Sequence, residues 1–296
     1  MAHETAVDDT TGRKYYLDQP DEASDGLTFI LNLHGGGSVG QWQREYFPIH
    51  DLVDDFDLVI ATPSALTKEP FRRWDGDADD AHLQAVVGQV VERVGAANLD
   101  SFWLVGHSQG SMTSRRLLGT DFFAERVDGW LSLSGGRIGG VEMAPGFGPP
   151  WRNDVPAPAG ADARPPVRLG DASLPEPDIS FIYATGEHEI VALPETSTWA
   201  ERLHAGPRER RPDVVDTEPG RIYDTLSEGR STPAWGLFPR PGRSEVYMYP
   251  NADGGRVVAD VVRIDKGHTE GLEPNITRAL VEMVVSAPGD AAARLA

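Results

Sequence analysis

The chain has 296 residues, 40% of them hydrophobic and 25% charged, which is enough to bury a substantial core and excludes fibrous or disordered classes. A net charge of −19, with only three lysines (Lys14, Lys68, Lys266), argues against nucleic acid or an anionic membrane surface as a partner. The absence of cysteine excludes disulfides, thiolate metal sites and a cysteine nucleophile.

The N-terminus, MAHETAVDDTTGRKYY, has neither a basic n-region nor an apolar run, and no stretch approaches the ~20 apolar residues of a membrane span. The expectation is a cytoplasmic protein, with export of a mature form left open. Short apolar runs then alternate with amphipathic segments, the signature of an α/β fold whose mostly parallel sheet is flanked by helices. The runs are Leu27–Leu33, Leu58–Thr62, Ser101–Val105, Gly129–Leu133 and Ile179–Ala184. Unbroken apolar runs of this length read as strands buried on both faces.

Leu83, Val86, Val87, Val90, Val91 and Val94 recur at three-four spacing and form one helical stripe, with Asp77, Asp79 and Asp80 at its N-terminal end. A second helix is expected over Ser111–Leu118. A third carries Ile276, Ala279, Leu280, Met283 and Val284 and stops at Pro288-Gly289. Residues 136–178, rich in Gly, Pro and Ala, have no periodicity and read as an irregular insertion or lid within a single domain spanning 1–296. A second irregular stretch runs from Ala205 to Ser244. Glu245–Tyr249 and Val257–Ile264 flank Asn-Ala-Asp-Gly-Gly and read as a β-hairpin.

Chemistry concentrates at four strand exits. Gly106-His107-Ser108-Gln109-Gly110 matches the G-x-S-x-G turn that lifts a serine oxygen above a sheet, with an apolar run before it and a helix-competent stretch after. His34-Gly35-Gly36-Gly37 follows Leu27–Leu33. Its amides, those of Gly36 or Gly37, can join the Gln109 amide in stabilising an oxyanion. A phosphate loop would need a Gly-Lys-Ser/Thr that does not follow. His34 is expected to prop this loop.

A serine needs a base, and the base an orienting carboxylate. The carboxylate lies in Thr185-Gly186-Glu187-His188-Glu189, with Glu189 preferred over Glu187 because it sits deeper in the loop. The base is His268, in Gly267-His268-Thr269-Glu270-Gly271 after the last strand. His107 is expected beneath the serine, His188 near the pocket, and His50, His82 and His204 in structural or exposed positions. Asp75, Asp77, Asp79, Asp80 and His82 could imitate a calcium loop, but they lack its glycine and closing glutamate; helix capping is the expected role, so neither metal nor other cofactor is invoked. Trp42, Trp74, Trp151, Trp199 and Trp235 are candidates for core packing or an aromatic pocket.

Arg13-Lys14-Tyr15-Tyr16, Leu33 to Gly37, Trp74 with Asp79-Asp80, Gly106 to Gly110, Tyr247-Met248-Tyr249-Pro250 and Gly267-His268-Thr269 together resemble the polyhydroxybutyrate depolymerases and feruloyl esterases. These are α/β-hydrolases acting on polyesters or aromatic esters, in which this hairpin delivers the catalytic histidine. The resemblance implies a serine esterase with Ser108, Glu189 and His268 as its triad. It departs in three ways: Glu270-Gly271 replaces the family's Trp-Pro-Gly, Glu189 stands where Asp is usual, and cysteines are absent. A small or oligomeric ester is therefore the expected substrate. A serine peptidase or amidase, and a ligand-binding receptor on the same scaffold, are the rival functions.

Overall fold

The computed structural model describes residues 2–21, 25–144, 168–169, 175–221, 233–236 and 239–296. The five expected strands form at β3 (Leu27–Leu33), β4 (Leu58–Pro63), β5 (Leu99–His107), β6 (Gly129–Leu133) and β9 (Ser180–Gly186). They share a sheet with β1 (Ala2–Val7), β2 (Lys14–Gln19), β11 (Glu209–Arg210), β12 (Val214–Val215), β13 (Arg243–Met248) and β14 (Val258–Ile264). The order in this 11-stranded sheet is β1-β2-β4-β3-β5-β6-β9-β14-β13-β11, with β12 also against β13. From β4 through β14 neighbours run parallel, and antiparallel hairpins close both ends.

Alternate residues of the central strands enter opposite halves of the core. Phe29, Leu31 and Leu33 of β3 and Phe102 and Leu104 of β5 pack on one face. Tyr46 of α1 (Gly40–Tyr46) and Val53 of α2 (Val53–Phe56) lie on the other, with Ile30, Trp103 and Val105. The first face is covered by Leu83, Val86, Val87 and Val90 of α3 (Gly76–Val94) and Leu117 of α4 (Gln109–Leu117). Phe123 of α5 (Asp121–Ala124) and Trp199 of α6 (Thr198–Arg202) join it there. The second face is completed by Ile276, Leu280, Val281 and Val284 of α7 (Pro274–Ser286). Each such side chain contributes about 1.5–3 kcal/mol on burial, which is why most positions in these runs are apolar.

Helix boundaries follow their local chemistry. Asp75 caps α3 by accepting from the Asp77 amide, and Gly95 ends it at φ +82°. Pro274 opens α7, where its missing N–H costs nothing. The elbow helix α4 starts at Gln109 and ends at Leu117, slightly earlier than the expected Ser111–Leu118.

Two stretches read as irregular contain short strands. Within 136–178, β7 (Val141–Met143) and β8 (Arg168–Leu169) join β10 (Ile190–Ala192) in a separate three-stranded antiparallel sheet. Residues 145–167 and 170–174 of the expected lid, Trp151 among them, lie outside the described residues. Within Ala205–Ser244, β11 and β12 border β13. These strands are two or three residues long, too short for a period-two pattern to register.

Candidate active site

Every functional candidate sits at the C-terminal end of a parallel strand, the edge where open α/β sheets place their ligands. Ser108 follows β5 and precedes α4 with φ +52° and ψ −118°, a backbone disfavoured for a non-glycine residue. The turn is held because the Ser108 amide donates to Leu133 O at 2.8 Å and Met112 donates to Ser108 O at 3.1 Å. The flanking glycines are required by space. A Cβ on Gly106 would overlap the carbonyl of Gly110, and one on Gly110 would overlap the carbonyl of Leu33. Ser108 itself is only half-buried and so can be reached.

His268 lies over the serine. Its Nε2 is 2.8 Å from Ser108 Oγ, and its Nδ1 is 2.7 Å from Glu189 Oε2. A carboxylate can only accept, so Nδ1 carries the hydrogen and Nε2 presents its lone pair to the serine hydroxyl. Glu189 is fully buried, and its other oxygen accepts from the Gly186 amide and from Ser134 Oγ, both at 2.7 Å. Glu187 faces elsewhere, accepting from the Asp265 amide at 2.8 Å in an exposed position. Ser108, His268 and Glu189 thus form one continuous hydrogen-bonded chain, and Glu187 stands outside it.

The loop carrying His268 is anchored at many points. The amides of His268 and Thr269 donate to Ala234 O (2.9 Å) and Trp235 O (2.8 Å), and Leu272 donates to Tyr46 O (2.8 Å). Arg263, fully enclosed, donates to the carbonyls of Glu270 and Gly271 at 2.7 Å each and pairs with Glu273 at 3.1 Å. Lys266 pairs with the other Glu273 oxygen at 2.6 Å, and Glu270 accepts from the Gly267 amide at 2.7 Å. The indole of Trp235 stands edge-on to the His268 ring, with centroids 5.0 Å apart. In the sequence nothing distinguishes Trp235 from the other four candidate tryptophans, because the short segment that carries it has no periodicity.

The glycine loop splits its two candidate donors. The Gly37 amide donates to Arg72 O at 2.7 Å and is thereby occupied. Gly36 lies beside the first turn of α4, where a Cβ would meet Gln109 Cβ at 3.8 Å and Phe71 at 3.3 Å. Gln109, first in its helix, has an amide that the helix itself does not use. Its side-chain oxygen accepts from the Trp74 amide at 3.1 Å, tying the elbow to the loop opposite. His34 props this region as expected. Its Nε2 accepts from the Ala65 amide at 2.9 Å, its Nδ1–H donates to Gly35 O at 2.7 Å, and its carbonyl accepts from Trp74 Nε1 at 2.7 Å. Burial pushes the His34 pKa down to about 4, so the ring stays neutral at neutral pH.

No family model matches the sequence, and no curated protein matches it. Among solved structures, the chain is similar to an acetyl xylan esterase from Aspergillus awamori, with 12% identity, 97% of this chain and 100% of that one covered, and a TM-score of 0.51. It is also similar to a fungal esterase from Rhizomucor miehei (13% identity, 96% and 81% covered, TM-score 0.47). An α/β serine hydrolase without lid from Xanthomonas campestris aligns over 63% of this chain and 71% of that one, at 16% identity and a TM-score of 0.34. The chain has the α/β-hydrolase fold.

Within that fold the remaining candidates take structural places. Asp75 caps α3, Asp79 is buried against Arg13 and the Leu66 amide, and Asp80 pairs with Arg116. His82 is buried against Asp8 at 2.7 Å. Among the described residues no group of three His, Asp or Glu side chains could hold a metal ion. His188 pairs with Asp265, and His204 with Asp253 in solvent. Trp74 and Trp199 are buried, while Trp42 is exposed. No helix among the described residues is long and apolar enough to cross a membrane.

Proposed function

We propose that the chain is a serine hydrolase that cleaves carboxylic esters through an acyl-enzyme. The observation that carries this reading is the relay itself: a half-buried serine on a strained turn, 2.8 Å from an imidazole whose far nitrogen is fixed by a buried carboxylate. The acetyl xylan esterase among the similar folds is in keeping with the ester class. The resemblance to polyester depolymerases and feruloyl esterases supports a small or oligomeric ester.

His268 Nε2 takes the proton of Ser108 as Oγ forms its bond to the ester carbonyl carbon. The new imidazolium is offset by Glu189, and the oxyanion is stabilised by the amides of Gln109 and Gly36. Collapse breaks the carbon–oxygen bond to the alcohol, and His268 returns the proton to that leaving oxygen. Water, deprotonated by His268, then attacks the acyl carbon, and Ser108 leaves reprotonated with the acid released. Serine, histidine and water account for every proton and electron pair.

A panel of short p-nitrophenyl esters, polyester oligomers and matched amides, run on wild type and Ser108→Ala, tests the proposal. Ester turnover lost in the variant, with amides cleaved far more slowly, is the expected result. Comparable amide cleavage would make the protein a peptidase or amidase, and turnover surviving in Ser108→Ala would remove the serine mechanism. Tight ligand retention with negligible turnover in wild type would point to a receptor.

A further inference from the structure

His107 occupies the variable position of the elbow, and the reaction above leaves it without a part. Its imidazole is buried and meets three parts of the site. Nε2 lies 3.0 Å from the backbone carbonyl of His268. The ring packs on Tyr46, the last residue of α1, with centroids 3.8 Å apart and planes inclined by 30°. On its other edge the glycine loop passes so near that a Cβ on Gly35 would lie 2.8 Å from His107 Nδ1.

A carbonyl offers no proton, so in this contact Nε2 carries the hydrogen and donates it. Burial, the neighbouring His268, Arg263 and His34 together hold the His107 pKa well below the usual histidine range. Neutrality matters here. The His268 ring is 4.8 Å away, and a cation at His107 would oppose the positive charge that His268 acquires on taking the serine proton.

We propose that His107 is a positioning residue for His268, anchoring the carbonyl of the general base through Nε2–H so that its imidazole meets Ser108 in register. The inference rests on the reading of Ser108 and His268 as nucleophile and base. The peptide groups around His268 are held at the amide by Ala234 O and at the carbonyl by His107. Releasing the second anchor lets the carbonyl side tilt, and a misplacement of about 1 Å at a reacting group costs about 10²-fold in rate. Because Tyr46 both packs on His107 and accepts from the Leu272 amide, α1 forms the bed on which this contact is set.

Two measurements test it. The first compares kcat and KM on a short p-nitrophenyl ester for wild type, Ser108→Ala, His107→Phe and His107→Gln. Phenylalanine keeps a ring against Tyr46 but has no donor, so kcat should fall by about 10²-fold with KM nearly unchanged. Glutamine, whose amide nitrogen reaches the place of Nε2, should recover most of that loss. The second, long-range 1H–15N correlation on labelled wild type, does not depend on any variant folding, and should show His107 neutral with its hydrogen on Nε2. Wild-type kcat in His107→Phe, equal losses in the two variants, or an Nδ1–H tautomer at His107 would each overturn the proposal. Turnover persisting in Ser108→Ala would instead remove the nucleophile reading, and the tautomer measurement would still decide the contact between His107 and His268.

Discussion

Replacing Glu189 with glutamine changes one atom and should disable the base. In the wild type Oε1 accepts from the Gly186 amide and Ser134 Oγ, and Oε2 accepts from His268 Nδ1, all at 2.7 Å. The Gly186 N–H belongs to the backbone and cannot turn away, so in Glu189→Gln the amide oxygen must face it, which leaves the NH2 group facing His268. Nδ1 is then forced to accept, and the hydrogen moves to Nε2, where it points at Ser108. An imidazole in that tautomer cannot take the serine proton. The corresponding carboxylate-to-amide change in a serine protease costs about 10⁴-fold in kcat, or about 5 kcal/mol of transition-state stabilisation. The assay is kcat on a short p-nitrophenyl ester, with circular dichroism to verify folding. Glu187→Gln is the paired control: its carboxylate accepts from the Asp265 amide at the surface, and a glutamine oxygen can do the same, so kcat should barely change. A Glu189→Gln enzyme within about tenfold of wild type would refute the reasoning. A large loss in Glu187→Gln instead would mean that the carboxylate behind His268 had been misassigned.

Two further predictions concern stability. With a folded pKa of about 4 against 6.5 for a free histidine, His34 binds its proton more readily in the unfolded chain, so its contribution is complete above pH 6.5 and declines as pH falls toward 4. That decline amounts to about 3 kcal/mol between neutral pH and pH 4, and the difference in urea stability between wild type and His34→Gln should shrink accordingly; a difference independent of pH would contradict it. Arg137 and Asp260 form a buried ion pair at 2.8 Å that Tyr249 also joins. Either Arg137→Met or Asp260→Leu alone should cost about 3–5 kcal/mol by stranding a buried charge, and the double variant should cost less than the two losses added. Strict additivity in chemical denaturation would show that the pair does not act as a unit.

The parallel core was legible in the sequence because its strands are buried on both faces. Leu27–Leu33 and Gly129–Leu133 match their strands residue for residue. The N-terminal hairpin was not, since β1 (AHETAV) is an edge strand half open to solvent and its sequence carries no apolar alternation. In the site, chain order and glycine flanks were enough to nominate Ser108 and His268. The choice between Glu187 and Glu189 was different in kind: two carboxylates two residues apart differ only in which way the short helical turn at Glu187–Glu189 aims them. Gly36 and Gly37 were equivalent until the carbonyl of Arg72 claimed one amide. The anchors of the His268 loop were hidden for a related reason. Ala234 and Trp235 act through backbone carbonyls, and any residue type supplies those. Lys266 could have been noticed. It is one of three lysines in the chain and it stands two residues before His268, where burial against Glu273 holds it.

The central claim is that Ser108 becomes covalently acylated, and the most direct measurement is to trap that species. Wild-type protein should be mixed with a slowly deacylated p-nitrophenyl ester, quenched in acid during turnover and analysed by peptide mass spectrometry. The account predicts an acyl mass on the peptide containing Ser108, formed together with a burst of nitrophenol close to one equivalent of enzyme, and absent from Ser108→Ala. An acyl group on another residue, or full ester turnover with no burst and an unmodified Ser108 under conditions where deacylation limits the rate, would contradict it.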